Sequence, residues 1–175
     1  MAIAEQADPV KLFCGMITGE ISLVGEISRI LEKKYGKIDK ISEIIPFDST
    51  SYYNAEMGQG LMRRFVSFSA LIDPGDLADV KLFTNELELK YSVKRDGKST
   101  RRINLDPGYV APHGIVLATA KNFAHRIYLR DGIYAEMTLN FASGGGFKYF
   151  DWTYPDFKTP AYQRYFFELR QALMS

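Results

Sequence analysis

Hydrophobic positions along the chain change their spacing several times, and each change marks an element. Lys11 to Thr18 is an almost unbroken apolar run, the pattern of a central strand covered on both faces. Ile21, Val24, Ile27, Ile30, Leu31 and Tyr35 then recur at helical intervals, which predicts a helix closed by Gly36. Ile38 to Phe47 reads as a second strand stopped near Pro46, and Arg63 to Ile72 as a third. Asp73-Pro74-Gly75-Asp76 has the chemistry of a helix start. The Asp73 carboxylate can cap free N–H groups, Pro74 loses nothing at the first position, and Asp76 lies near the positive end of the dipole. Leu77, Val80, Phe83, Thr84 and Leu87 continue that helix. Leu89, Tyr91 and Val93 alternate with polar residues, so the spacing predicts a switch from helix to strand between Asn85 and Leu89.

Strand, helix, strand, strand, helix, strand is the ferredoxin-like βαββαβ order, spanning about 9–110. The rest, about 111–175, predicts a mostly antiparallel β-rich extension. Its strands follow the one from Arg101 to Val110 and run Ile115–Ala120, His125–Leu129, Ile133–Phe141 and Phe147–Trp152. A final helix begins at Thr159-Pro160 and carries Tyr162, Tyr165, Phe166, Leu169 and Leu173 on one stripe. No repeat or linker interrupts the chain, so 1–175 is expected to be a single α+β domain.

Two segments, Arg95-Asp96-Gly97 and Arg130-Asp131-Gly132, share one turn chemistry. Read as three-residue loops, the second sets Leu129 opposite Ile133, Ile127 opposite Ala135 and His125 opposite Met137. It also pairs Tyr128 with Tyr134 and Arg126 with Glu136, so apolar and charged residues both find suitable partners. The same reading of the first sets Lys90 opposite Arg102 and Lys94 opposite Lys98. Facing like charges need a counter-ion, which Glu86 or Glu88, a phosphate-bearing ligand or RNA would supply.

Composition narrows the function classes. The chain has 22 basic and 21 acidic residues, a formal net charge of +1, which argues against a uniformly basic nucleic-acid or membrane-binding surface. Locally the balance differs: Lys94 to Arg102 holds five basic residues against one acidic. A single cysteine, Cys14, and two histidines, His113 and His125, exclude a disulfide framework and a clustered Cys/His zinc site. Met1 to Asp8 lacks the character of a secretory signal and no apolar run approaches a membrane span, so a cytoplasmic protein is expected.

No phosphate-binding loop is present, because Gly97-Lys98-Ser99 would need a glycine where Ser92 stands. Asp106-Pro107-Gly108 reads as a tight turn. The best polar constellation is distributed over strand ends. His125, Asp106 and Glu136 are the candidate catalytic residues, His125 as general acid or base. Arg102, Asn104, Tyr109, Lys121, Arg126 and Glu56 are the candidate ligand-binding residues, with Arg102, Lys121 and Arg126 holding an anion. No metal site is expected and no motif identifies a cofactor. Ten aromatics between Phe147 and Phe167 fit core packing better than a base-stacking platform. These features point first to a protein binding, or acting on, a phosphate-bearing or other anionic small ligand. An RNA-binding module using the Lys94–Arg102 hairpin and a non-enzymatic interaction domain using the surface near Trp152 and Tyr154 are the alternatives.

Several short motifs occur together: Pro9-Val10-Lys11-Leu12-Phe13, Glu56-Met57-Gly58, Thr84-Asn85, Asn104-Leu105-Asp106-Pro107-Gly108-Tyr109, Leu117-Ala118-Thr119-Ala120-Lys121, His125-Arg126-Ile127 and Trp152-Thr153-Tyr154-Pro155-Asp156. On these the chain resembles, over nearly its whole length, a bacterial family of unknown function. Some members of that family carry the label "GTP-binding protein". The resemblance implies no catalytic residues, and no guanine-specificity motif accompanies the label here.

Overall fold

The apolar run near the N-terminus folds as β1 (Val10–Thr18), buried along its whole length. A computed structural model describes residues 1–95 and 97–175. After β1 come α1 (Ile21–Tyr35), β2 (Ile38–Ile41), β3 (Ile45–Pro46), the short α2 (Asn54–Met57) and β4 (Met62–Ile72). A 3-10 turn, Pro74–Asp76, leads into α3 (Leu77–Lys90), followed by β5 (Val93–Arg95), β6 (Lys98–Thr100) and β7 (Ile103–Ala111). The remainder is β8 (Gly114–Thr119), β9 (Ile127–Arg130), β10 (Ile133–Phe141), β11 (Phe147–Tyr149), a 3-10 turn at Pro155–Lys158 and α4 (Pro160–Met174). The strands form one large antiparallel sheet in the order β11-β10-β8-β7-β1-β4-β2, with β3 beside β4 and β9 beside β10. Strands β5 and β6 form a separate two-stranded ribbon. The fold is therefore α+β. No helix among the described residues is long and apolar enough to cross a membrane.

Both faces of β1 are covered because its side chains alternate between two cores. Leu12, Cys14 and Met16 pack with Leu23, Ile27 and Leu31 of α1 and with Val80 and Leu87 of α3. Phe13 points the other way, into a cluster with Phe65, Phe157, Tyr162, Tyr165 and Phe166 beneath α4. Each of these large side chains, fully buried, contributes about 1.5–3 kcal/mol by removal from water. Gly36 ends α1 with a φ of 94°, as its place in the sequence suggests. Asp73 accepts a 2.7 Å hydrogen bond from the Gly75 N–H, and α4 starts at Pro160.

Four expectations are corrected. Helix α3 runs on to Lys90 with no earlier switch to strand, and Leu89 faces solvent at 68% exposure. The strand expected from Ile38 to Phe47 is two short strands, β2 and β3, both laid against β4. Asp106-Pro107-Gly108 is no turn: it lies inside β7, opposite Gly15, Cys14 and Phe13 of β1. The β9–β10 loop is Asp131-Gly132 alone, with φ values of 51° and 76°, a two-residue turn with both central residues left-handed. Arg130 takes the place opposite Ile133 that Leu129 was expected to hold. A register shift at that point then restores Tyr128 opposite Tyr134 and Ile127 opposite Ala135. His125 precedes β9 and does not face Met137.

In the β5–β6 ribbon, Arg95 lies opposite Lys98 and Lys94 opposite Ser99. The Lys94–Lys98 and Lys90–Arg102 pairings do not form, since Lys90 belongs to α3. The expected turn Arg95-Asp96-Gly97 includes Asp96, which lies outside the described residues.

Candidate functional site

Strands β7 and β8 pair only from Gly108 opposite Leu117 to Ala111 opposite Gly114. Before Gly108, β7 stays with β1, while the end of β8 follows β10 through Ala118–Ala135 and Thr119–Tyr134. The sheet therefore splits, and a cavity of about 810 Å³ occupies the split. The Pro-Gly pair sits where the ladder ends. A Cβ on Gly108 would stand 2.4 Å from the Val116 carbonyl oxygen, so glycine is what lets the last rung close. Beyond that rung the Leu105 N–H donates to Glu88 Oε1 at 2.7 Å, and the Leu105 carbonyl accepts from Lys81 Nζ at 2.6 Å. Pro107, two residues on, turns its N–H-less nitrogen to the same side. Two side chains of α3 thus stand in for the departed strand, which accounts for the burial of Lys81 and Glu88, 6% and 7% exposed. Burial pushes the Glu88 carboxyl above its ordinary value, against the opposing Lys81 charge.

A chain of charged and amide groups forms one wall. Arg63 on β4 reaches across β1 to Asp106 at 3.0 Å and Asp156 at 3.7 Å. It crosses over Gly15, where a Cβ would lie 2.5 Å from Arg63 Nη1. Asp106 accepts from the Asn104 amide at 2.9 Å, and Asn104 accepts from Arg101 at 2.8 Å. Arg101 holds Glu56 of α2 through bonds of 2.8 and 2.7 Å and lies 3.3 Å from Glu88. Burial pushes the Asp156 carboxyl up even beside Arg63, whereas the hydrogen bonds from Arg101 hold Glu56 below its ordinary value.

The opposite wall centres on Arg126. It donates to Glu136 at 2.6 Å, to the Lys121 carbonyl at 2.9 Å and to the Tyr154 hydroxyl at 2.9 Å. Burial of that hydroxyl, with the Glu136 charge beside it, pushes Tyr154 up to about 12. Glu136 is 2% exposed, and its Oε1 has no hydrogen-bond partner among the described residues. Lys121 differs from the other lining cations. Its ammonium sits 3.9 Å over the Tyr52 ring, and among the described residues no carboxylate lies within 4.0 Å of it. Phe47, Tyr53 and Phe157 supply apolar lining. Among the described residues no group of three or more His, Cys, Asp or Glu is placed to hold a metal ion.

Of the residues singled out from sequence, Asn104, Asp106, Lys121, Arg126 and Glu136 line this one cavity. Glu56 stands one hydrogen bond behind it, through Arg101. His125 stands behind Glu136: its Nε2 is 3.2 Å from Glu136 Oε2, and its ring stacks on Trp152 at 4.8 Å. Arg102 is not brought in. Strand β7 begins one residue later, and Arg102 turns outward to Glu20. Tyr109, opposite Leu12, lies on the sheet face that α3 covers. Arg63, Lys81, Asn85, Glu88, Arg101 and Asp156 line the cavity and were not singled out. Pro107-Gly108 inside a strand was the available signal for where a ladder ends.

A family model described as a domain of unknown function, DUF4416, matches residues 8–173 and carries no GTP-binding label. No curated protein and no solved structure matches the chain.

Proposed function

Since the chain belongs to the DUF4416 family, whose function is unknown, we propose from the cavity itself that the protein binds a small ligand bearing a negatively charged group. One observation carries this reading. Four of the five lining cations, Arg63, Lys81, Arg101 and Arg126, are each held by a carboxylate, while Lys121 is left with only an aromatic ring. Lys121 is an exposed residue lining this cavity, so a phosphate or carboxylate can meet its ammonium without breaking an ion pair. The cavity size lies in the range of small-molecule sites. Within this reading Asp106 and Glu136 present carboxylates to the ligand, and His125 acts through Glu136. Any chemistry would therefore use these carboxylates as acid or base, with His125 positioning one of them.

The test is thermal unfolding against a panel of phosphate- and carboxylate-bearing metabolites. A ligand at about 100 times its Kd stabilises by about 2.7 kcal/mol, so Tm should rise clearly. Lys121→Ala should abolish the rise, and a panel without any shift would sink the reading.

RNA binding is a second reading, favoured by the β5–β6 ribbon. It stands apart from the main sheet with Lys94, Arg95 and Lys98 exposed and none in an ion pair among the described residues. Binding to single-stranded RNA that does not weaken with salt, or no binding, would count against it. We also read 9–110 as ferredoxin-like: the order β7-β1-β4-β2, with α1 and α3 on one face, supports that description.

A further inference from the structure

We infer that the ligand of this cavity is a polyhydroxylated carbon chain carrying a single phosphate or carboxylate, the chemistry of a sugar phosphate or a sugar acid. This rests on the reading of the cavity as an anion-bearing ligand's site and goes on to name the rest of the ligand.

The argument starts from charge already spent inside the walls. Asp106 and Asp156 neutralise Arg63, Glu88 and Glu56 neutralise Arg101, and Glu136 neutralises Arg126. A ligand with a second, separate anionic group would have to break one of these pairs to place it and leave a buried carboxylate without its partner, which is costly. Only Lys121 offers charge without that loss, so the site suits one anionic group.

Hydrogen-bonding capacity, by contrast, is far from exhausted. A carboxylate has about four acceptor positions and a guanidinium five donors. Arg126 donates once each from Nε, Nη1 and Nη2, so two of its five N–H groups make no hydrogen bond among the described residues. The Asn85 side chain lines the cavity and likewise makes none among the described residues. Donors and acceptors therefore line one volume, with each ion pair intact. An uncharged group that donates and accepts at once can bond such pairs without displacing either partner, and the hydroxyl is the smallest that does so. The rings of Phe47, Tyr53 and Phe157 leave apolar surface for the C–H edges between hydroxyls.

The experiment is isothermal titration with defined probes: D-ribose 5-phosphate, D-glucuronate, 2-deoxy-D-ribose 5-phosphate, D-ribose, phenyl phosphate and inorganic phosphate. Ribose 5-phosphate or glucuronate should bind, and which of them binds tells phosphate from carboxylate. With ribose 5-phosphate as the ligand, loss of one hydroxyl in the 2-deoxy analogue should weaken binding at least tenfold, as should loss of the phosphate in ribose. If glucuronate binds instead, D-glucose, which lacks its carboxylate, should bind at least tenfold more weakly. Asn85→Ala removes a side chain with no described protein partner, so folding is retained. It should weaken the sugar ligand at least fivefold and leave inorganic phosphate unchanged. If phenyl phosphate binds as well as the sugar ligands, or the deoxy analogue as well as its parent, the polyol inference falls while anion binding stands. If no probe binds, both fall.

Discussion

Gly15 decides where Arg63 goes, and Arg63 decides how the cavity wall is charged. Because a Cβ on Gly15 would stand 2.5 Å from Arg63 Nη1 and 2.8 Å from the Phe65 ring, Gly15→Ala must displace one or both. The expected cost is about 1–3 kcal/mol by urea denaturation, the usual range for overpacking. An unchanged midpoint would show that the crossing is not tight. Arg63→Met removes the cation from two carboxylates at once and should cost about 3–5 kcal/mol near neutral pH. The loss should shrink in acid. Asp156 already titrates above its ordinary 3.8 because it is buried. Its contribution to stability is full below that value and is lost as pH rises through the raised folded value. Without Arg63 that folded value climbs further, so the gap between wild type and variant should widen as pH rises from about 4. Denaturation midpoints across pH test this, and a gap independent of pH would remove Asp156 from the account.

At the scale of elements, much was legible where side chains announce which face they occupy. The pairing of Ile127 with Ala135 and Tyr128 with Tyr134 follows from matching apolar residues, and the structure keeps both. The loop length could not be read the same way, because a register shift near Leu129 absorbs the extra residue of a shorter turn. That turn gives its own test. Asp131 holds a φ of 51°, which an ordinary L-residue adopts at a cost of about 1–2 kcal/mol. Asp131→Val should therefore lower thermal stability by about 1 kcal/mol, while Asp131→Asn should be neutral or better. Equal Tm values for the two variants would contradict the two-residue turn. Helix α3 failed to announce its length for a different reason. Its last turn buries Glu88 and leaves Leu89 in water, because Glu88 serves the backbone of β7 and not the apolar core. A hydrophobic pattern cannot report a helix face whose task is to replace a strand.

Across the whole molecule, the cavity exists because one sheet is pulled in two directions, and its walls come from segments distant along the chain. Asn104, Asp106, Lys121, Arg126 and Glu136 could be singled out because they fall within a short stretch of sequence and read as polar groups on neighbouring strands and their ends, although Asp106 and Glu136 lie inside β7 and β10. Arg63 and Asp156 could not, since only the antiparallel stacking of β4, β1 and β7 brings them to Asp106. The segment between β3 and β4 closes the cavity with Tyr52 and Tyr53, and Glu56 ties it to the body through Arg101. That tie is partly solvated, with the Glu56 side chain 33% exposed, so its contribution to global stability should be only about 0–1 kcal/mol. Its local effect should be larger. Glu56→Ala should leave Tm nearly unchanged while amides between 48 and 60 exchange with deuterium several-fold faster, since a free wall opens without unfolding the sheet. Acid should imitate the substitution. Arg101 holds Glu56 below its ordinary value, so the tie is at full strength above the ordinary carboxylate range and is lost as pH falls through the depressed one. Exchange in 48–60 that is the same in wild type and variant would mean the wall is held by its aromatic packing alone. Ligand entry would then not depend on Glu56.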